Sequence, residues 1–209
     1  GSGSATVNPT TGIVVAVHAG TVTLTATAAG DVDYRPATIT QLITINPATP
    51  LLIVTSSNTL VVDQTITAAI TTTARQDIGV LSYSVQNDTG AALIDSNTGL
   101  ITAFSAGTVT LTISSAGNND YNPTSIDQLI TIGQATPVLT ITSANTMNVD
   151  DTLTASVNTS ASFGRGGSIT FSITGGSGSA TVDPNTGDIY AISVGSVTLT
   201  AYSAGDADY

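Results

Sequence analysis

Lysine, glutamate, cysteine and tryptophan are all absent from this 209-residue chain. Without cysteine there is no disulfide, no thiolate nucleophile and no cysteine-based metal site. Without lysine, Arg35, Arg75 and Arg165 carry all the fixed positive charge, against fourteen aspartates and a formal net charge of −11. That balance opposes nucleic-acid binding, which needs cations to neutralise phosphates. It also opposes docking on anionic lipid, and it keeps copies soluble and mutually repelling. Aromatic residues make up only 4% of the chain, so the core has to be built from Val, Ile, Leu and Ala. No apolar run approaches the roughly 18 residues of a spanning helix, so no membrane insertion is expected. No signal-peptide pattern is visible.

What is present points one way. Thr, Ser, Val, Ile, Ala and Gly dominate. The β-branched members of that set are stiff at χ1 and suit pleated surfaces. No segment has a convincing 3.6-residue apolar period. The expected fold class is all-β.

The chain repeats itself. "GTVTLT" at Gly20 returns at Gly107 and, as "GSVTLT", at Gly195, spacings of 107 − 20 = 87 and 195 − 107 = 88 residues. "AGDVDYRPATITQLITI" from Ala29 returns as "AGNNDYNPTSIDQLITI" from Ala116, and "AGDADY" begins again at Ala204. A period near 87 suits a small β-sandwich, which takes about 100 residues. Three units follow: 1–46, the C-terminal half of a repeat; 47–134, a complete repeat; and 135–209, a repeat lacking its last strand. In the complete unit strands are expected over 51–55, 60–63, 65–73, 80–85, 107–115 and 124–132. A hairpin is expected across "AALIDSNTGLITAF", with Asn97 and Gly99 in its turn. Over 34 positions, 1–34 and 176–209 agree at 22, whereas 1–34 and 88–121 agree at 16. The first and third copies are therefore the closer pair, which suggests a two-unit period of 87 + 88 = 175 residues.

The stretch "SATVDPNTGDIYAISVGSVTLTAYSAGDADY" resembles the bacterial Ig-like (Big) domains of surface proteins, with their Val-Asp hairpin, apolar strand and Gly-Thr/Ser strand. The "AGDxDYxPA…ITI…ATP" tail is similar to repeats of long secreted or surface-anchored adhesins. The resemblance spans essentially the whole chain. It implies tandem Ig-like β-sandwiches in an extracellular or cell-surface stalk, adhesin or fibre. Some surface Ig-like domains carry a Lys–Asn isopeptide crosslink; with no lysine, that chemistry is unavailable here.

Several residues stand out as candidate sites. Tyr34, Tyr121 and Tyr209 share one place after a turn and read as a structural, tyrosine-corner-like feature. Sugar stacking is the alternative, although isolated tyrosines make a poor platform. Asp31 and Asp33, with Asp206 and Asp208, form D-x-D pairs that are calcium candidates. Against that, Asn118 replaces the first Asp in the middle copy, and Asp33, Asp120 and Asp208 could instead accept backbone N–H groups in the turn. Asn8, Asp95 and Asp183 precede the hairpin turns and read as caps. Asp63 and Asp150–Asp151 read as solvated strand-edge residues. His18 aligns with Ser105 and Ser193 and reads as a surface strand residue. "GRGG" at 164–167 has no helix after it to bind phosphate. The triplets at Asn87 and Asn158 match a glycosylation pattern that chance also produces in such chains.

No nucleophile–base pair or metal cluster emerges, so no enzymatic role and no cofactor is expected. The expected function is structural: a stalk, fibre or filament module whose partners are copies of itself or adjacent repeats. Residues 35–45, with Arg35, Ile39, Leu42, Ile43 and Ile45, match the strand that the third unit lacks. Either the chain is a window on a longer repetitive protein, or a neighbour donates that strand. The alternative function is an adhesin domain whose loops bind a glycan or a cell-surface protein.

Overall fold

The computed structural model describes residues 1–209 and contains twenty strands, one turn of 3-10 helix and no α-helix. In the first segment, β1 (Ser4–Val7) and β2 (Val14–His18) form an antiparallel hairpin. β3 (Gly20–Ala28) pairs antiparallel with β4 (Ala37–Ile45), from Gly20 opposite Ile45 to Ala28 opposite Ala37.

The middle unit runs β5 (Leu52–Val54), β6 (Thr59–Val61), β7 (Thr65–Thr67), β8 (Ile70–Thr72), β9 (Leu81–Asn87), β10 (Ala91–Ile94), β11 (Leu100–Ser105), β12 (Gly107–Ser115) and β13 (Thr124–Gly133). One sheet has the order β6-β13-β12-β9 and the other β10-β11-β7, with β5 and β8 paired beside them. β13 pairs parallel with β6 and antiparallel with β12.

The last unit holds β14 (Leu139–Ile141), β15 (Thr152–Thr154), β16 (Val157–Thr159), the 3-10 turn Ser162–Gly164, β17 (Ile169–Thr174), β18 (Ser179–Val182), β19 (Asp188–Ser193) and β20 (Thr198–Ser203). Its ladders are β14-β16, β15-β19-β18 and β17-β20. The chain is thus all-β, built as tandem Ig-like sandwiches.

Period-two alternation explains the core. In β12, Val109, Leu111 and Ile113 are fully buried while the threonines between them are not. Ile130 and Ile132 of β13 meet them from the neighbouring strand, and Ile101, Ala103, Leu60 and Val62 help complete one eleven-residue cluster. Each such Ile, Leu or Val stabilises the unit by about 1.5–3 kcal/mol on burial. Every residue of that cluster belongs to the middle unit.

The stretch 65–73, expected as one strand, is two. β7 pairs with β11 and β8 with β5, so the chain changes sheets at Ala68–Ala69. Ala68 N–H bonds Gly99 O at 2.9 Å, and Ala69 O accepts from Thr55 N–H at 2.8 Å. Alternation continues across the crossing, which hid it from the sequence pattern.

A second crossing positions the functional groups. β11 passes to β12 through Ala106 and Gly107, after a bulge opposite Ala91 and Ala92. The same bulge recurs at Ser4–Ala5 and Ser179–Ala180. Gly107 sits at φ +133°, and a Cβ there would lie 2.4 Å from the backbone nitrogen of Gly90. Only glycine fits so tight a left-handed passage.

The outer units differ from the middle one where strands lack partners. No residue of 1–46 is buried. In the last unit, β20 begins at Thr198, although its counterpart β12 begins at Gly107, whose equivalent is Gly195. Thr146–Asn148, the counterpart of β6, forms no strand. Both places adjoin the position that β13 fills in the middle unit. No helix is long and apolar enough to cross a membrane.

Candidate functional site

The chemistry of the molecule gathers at the two junctions between units. It starts in the turn that follows β3, β12 and β20. The first polar residue of the motif caps that turn. Asp31 Oδ1 accepts from Asp33 and Tyr34 N–H at 2.9 and 2.8 Å. Asn118 Oδ1 does so from Asp120 and Tyr121 at 2.9 and 3.0 Å, and Asp206 Oδ1 from Asp208 and Tyr209 at 2.8 and 3.1 Å. An amide serves as well as a carboxylate in this role, since only an acceptor oxygen is needed. The second aspartate is then free to point away from its own turn.

Asp120 and Asp208 both point at the preceding unit. Asp120 Oδ1 accepts the Ala19 N–H at 2.6 Å, and its Oδ2 lies 2.7 Å from His18 Nδ1. Asp208 Oδ1 accepts the Ala106 N–H at 2.8 Å and the Ser105 hydroxyl at 2.7 Å. Ala19 and Ala106 are the residues just before the crossing glycines. The sheet change therefore leaves one N–H at the end of the first and of the middle unit, and the aspartate of the next unit satisfies it.

Main-chain bonds from the linkers reinforce each contact. Ala48 N–H bonds Asp120 O at 2.9 Å, Asn122 N–H bonds Ala48 O at 2.8 Å, and Ala135 N–H bonds Asp208 O at 2.9 Å. The tyrosines fix the turn from behind. Tyr121 Oη accepts the Arg75 N–H, and Tyr209 Oη accepts the Ser162 N–H, each at 3.0 Å.

The second junction carries more. The Tyr209 hydroxyl donates to the Asp63 carboxylate, and Ser162 Oγ donates to Asp63 Oδ1 at 2.7 Å. Asp63 can reach both because it holds a left-handed turn at φ +68°. Arg165 lies 3.2 Å from Asp208 Oδ2 and also donates to Phe104 O. Its guanidinium sits 5.8 Å from the Phe163 ring centre, and that ring lies 6.4 Å from Phe104.

These bonds favour the charged carboxylates. Asp120 is held below the usual aspartate range, first by His18 and then by the Ala19 N–H. Asp63 is lowered by the Tyr209 hydroxyl and then by Ser162. Asp206 is lowered by the N–H groups of Asp208 and Gly166. Asp95 and Asp183 are lowered by N–H groups of their own hairpin turns, which they cap.

The structure separates the candidate residues that the sequence suggested. Asp31 faces its own turn, Asp206 its own turn and, through Oδ2, the Gly166 N–H at 2.8 Å, and Asp208 faces two donors and a guanidinium, while the Asp33 carboxylate accepts no hydrogen bond. No three His or Asp side chains converge on a common point. N–H donors and an arginine are the wrong surroundings for calcium, which takes six to eight oxygens. Tyr121 and Tyr209 pack at junctions, whereas Tyr34 is 75% exposed. Arg35, Ile39, Leu42, Ile43 and Ile45 lie on or just before β4, where Ile39 and Leu42 are exposed and Ile43 and Ile45 half-buried.

Sequence reasoning missed His18, Asp63, Ser105, Ser162 and Arg165 as junction residues. One signal was available. His18 and Ser105 occupy the same repeat position, two before the crossing glycine, and both can donate a hydrogen bond.

No family model matches the sequence, and no curated protein matches it. Among solved structures the chain is similar to human CDH23 EC21-23, at 19% identity and TM-score 0.37, over 94% of this chain and 74% of that one. It is also similar to the protocadherin GammaB4 extracellular domain, at 17% identity and TM-score 0.35, over 96% of this chain and 40% of that one. The Ig-like sandwich of the present chain is defined by its own strand pairing.

Proposed function

We propose that the chain is a structural segment of a long extracellular repetitive protein, a stalk, fibre or filament, in which each Ig-like unit is clamped onto the one before it. A single observation carries this reading. At both junctions the same motif aspartate accepts the N–H that precedes the crossing glycine, Asp120 from Ala19 and Asp208 from Ala106. A flexible string of beads has no use for such a bond twice over at one repeat position. The high Thr and Ser content and the absence of lysine and cysteine suit a solvated extracellular rod held by hydrogen bonds rather than by covalent crosslinks. Strand donation between neighbouring copies is the finer form of the proposal.

Small-angle scattering tests the clamp. The native chain should scatter as one elongated shape, unchanged between low and moderate salt. Asp120→Ala combined with Asp208→Ala should broaden the distance distribution, since both junctions then hinge. Identical curves for native and double variant would refute the clamped-rod reading. A glycan array with the same protein should be blank; saturable binding would favour the adhesin alternative.

A further inference from the structure

We infer that the middle unit is a tension-bearing element, in which a pull along the chain is resisted by the parallel ladder between β6 and β13. The inference deepens the structural-module reading and rests on it.

The chain enters and leaves this unit at opposite ends of one strand. On entry it is fixed beside Tyr121, just before β13 begins. Ala48 and Tyr121 form a parallel bridge, with Ala48 N–H on Asp120 O at 2.9 Å and Asn122 N–H on Ala48 O at 2.8 Å. The ten residues of β13, each rising about 3.3 Å, then lead to the exit. There β6 pairs parallel with β13, Thr59 opposite Thr131, Leu60 opposite Ile132 and Val61 opposite Gly133. Thr131 N–H bonds Asn58 O at 2.9 Å, and Val62 N–H bonds Gly133 O at 3.0 Å.

Strand direction decides how this ladder meets load. A pull on both ends of the unit draws β6 toward the entry and β13 toward the exit. Parallel strands drawn in opposite senses slide along each other, so their bonds are strained together. An antiparallel pair pulled from one end opens a bond at a time instead. Sliding also drags Leu60, Val62 and Ile132 out of the buried cluster they share, which adds apolar exposure to the barrier.

The linkers leave no slack to absorb a pull first. β13 ends at Gly133, and Ala135 is already fixed, its N–H on Asp208 O at 2.9 Å. Gln134, the one residue between them, donates from Nε2 to Asp206 O and Ala207 O at 2.9 and 3.2 Å. At the first junction only Asn46 and Pro47 separate β4 from Ala48. Asn122 Nδ2 reaches Pro47 O at 3.4 Å and Thr49 Oγ1 at 3.0 Å. Tension leaving one unit's last strand therefore meets the next unit's turn within one or two residues. The turn that carries the aspartate clamp is also the point where load enters.

Pulling single molecules of the full chain in two geometries tests this, because the chain has no cysteine of its own and handles attach only where one is placed. Asn46→Cys with Thr136→Cys, both exposed and outside the strands, loads the middle unit through its two ends. Thr89→Cys with Thr136→Cys loads it from one end. β9 finishes with Asn87 opposite Val109, close to where β13 finishes with Ile132 opposite Gly107. Unfolding between the first pair of handles releases roughly 30 nm of chain, which identifies the unit. Forced unfolding follows the opening barrier, so at equal pulling speed the two-ended geometry should need at least about twice the force of the one-ended geometry. Equal forces, or a lower force in the two-ended geometry, would overturn the inference. Thr131→Pro removes the N–H that bonds Asn58 O, at a side chain on the exposed face, and should erase most of the difference. An undiminished difference in folded Thr131→Pro would also overturn the inference. Should Thr131→Pro not fold, the two geometries of the otherwise native chain decide alone. Scattering tests the clamped rod without load, so the two readings fail separately.

Discussion

Removing the Asp208 carboxylate should loosen the second junction by a measurable and partitionable amount. The side chain is 13% exposed, accepts from Ser105 Oγ at 2.7 Å and Ala106 N–H at 2.8 Å, and faces Arg165 at 3.2 Å. Hydrogen bonds to a charged group contribute about 1.5–3 kcal/mol each, and a partly exposed ion pair adds at most about 1 kcal/mol. These terms are not additive, because Arg165 keeps its bond to Phe104 O. The expected cost of Asp208→Ala is about 2–4 kcal/mol. Ser105→Ala alone removes one donor and should cost about 1–2 kcal/mol. Urea denaturation of the native chain, both single variants and the double variant, followed by far-UV circular dichroism, closes the cycle. A coupling of about 1–2 kcal/mol between Ser105 and Asp208 is expected. A coupling below about 0.3 kcal/mol would mean that the two do not interact in solution, and the clamp reasoning would be wrong.

Three further outcomes follow from the same geometry. Ile132→Ala empties a site 2% exposed between two strands and should destabilise the middle unit by about 2–5 kcal/mol, read as a lowered denaturation midpoint. Gly107→Val forces a Cβ to within 2.4 Å of the Gly90 nitrogen at φ +133°, so the middle unit should lose its cooperative transition in a thermal melt. Acid should loosen the junctions. Asp63 and Asp120 have folded-state pKa values below their unfolded ones. Their contribution is therefore complete above the unfolded aspartate value of about 3.9 and is lost as pH falls through the lower folded values. The melting temperature should fall below about pH 4, and less steeply in Asp120→Asn, whose residue 120 has no proton to take up.

The repeat made much of the fold legible. Alternation in "GTVTLTI" marks β12 and its buried face, and "IDSNTGL" marks the β10–β11 turn capped by Asp95. Lack of aromatics pointed to an aliphatic core, and the eleven-residue cluster is entirely Val, Ile, Leu and Ala. The break at Ala68–Ala69 was not legible, because a strand that changes sheets keeps its period of two. The junctions were least legible. Asp120 and His18 are 102 residues apart, and Asp63 and Tyr209 are 146 apart. Each looks like an ordinary surface residue within its own unit. Only the stacking of units reveals that the first polar residue of the motif serves its turn, while Asp120 and Asp208, the second, serve the preceding unit.

On the proposed reading the aspartate clamp holds the units in fixed relation. Distance measurement between spin labels at Leu93→Cys in the middle unit and Tyr202→Cys in the last unit tests it most directly, since both positions are exposed and no other cysteine interferes. A single narrow distance distribution is predicted, broadening in Asp208→Ala. A broad distribution in the native chain, unchanged by Asp208→Ala, would contradict it.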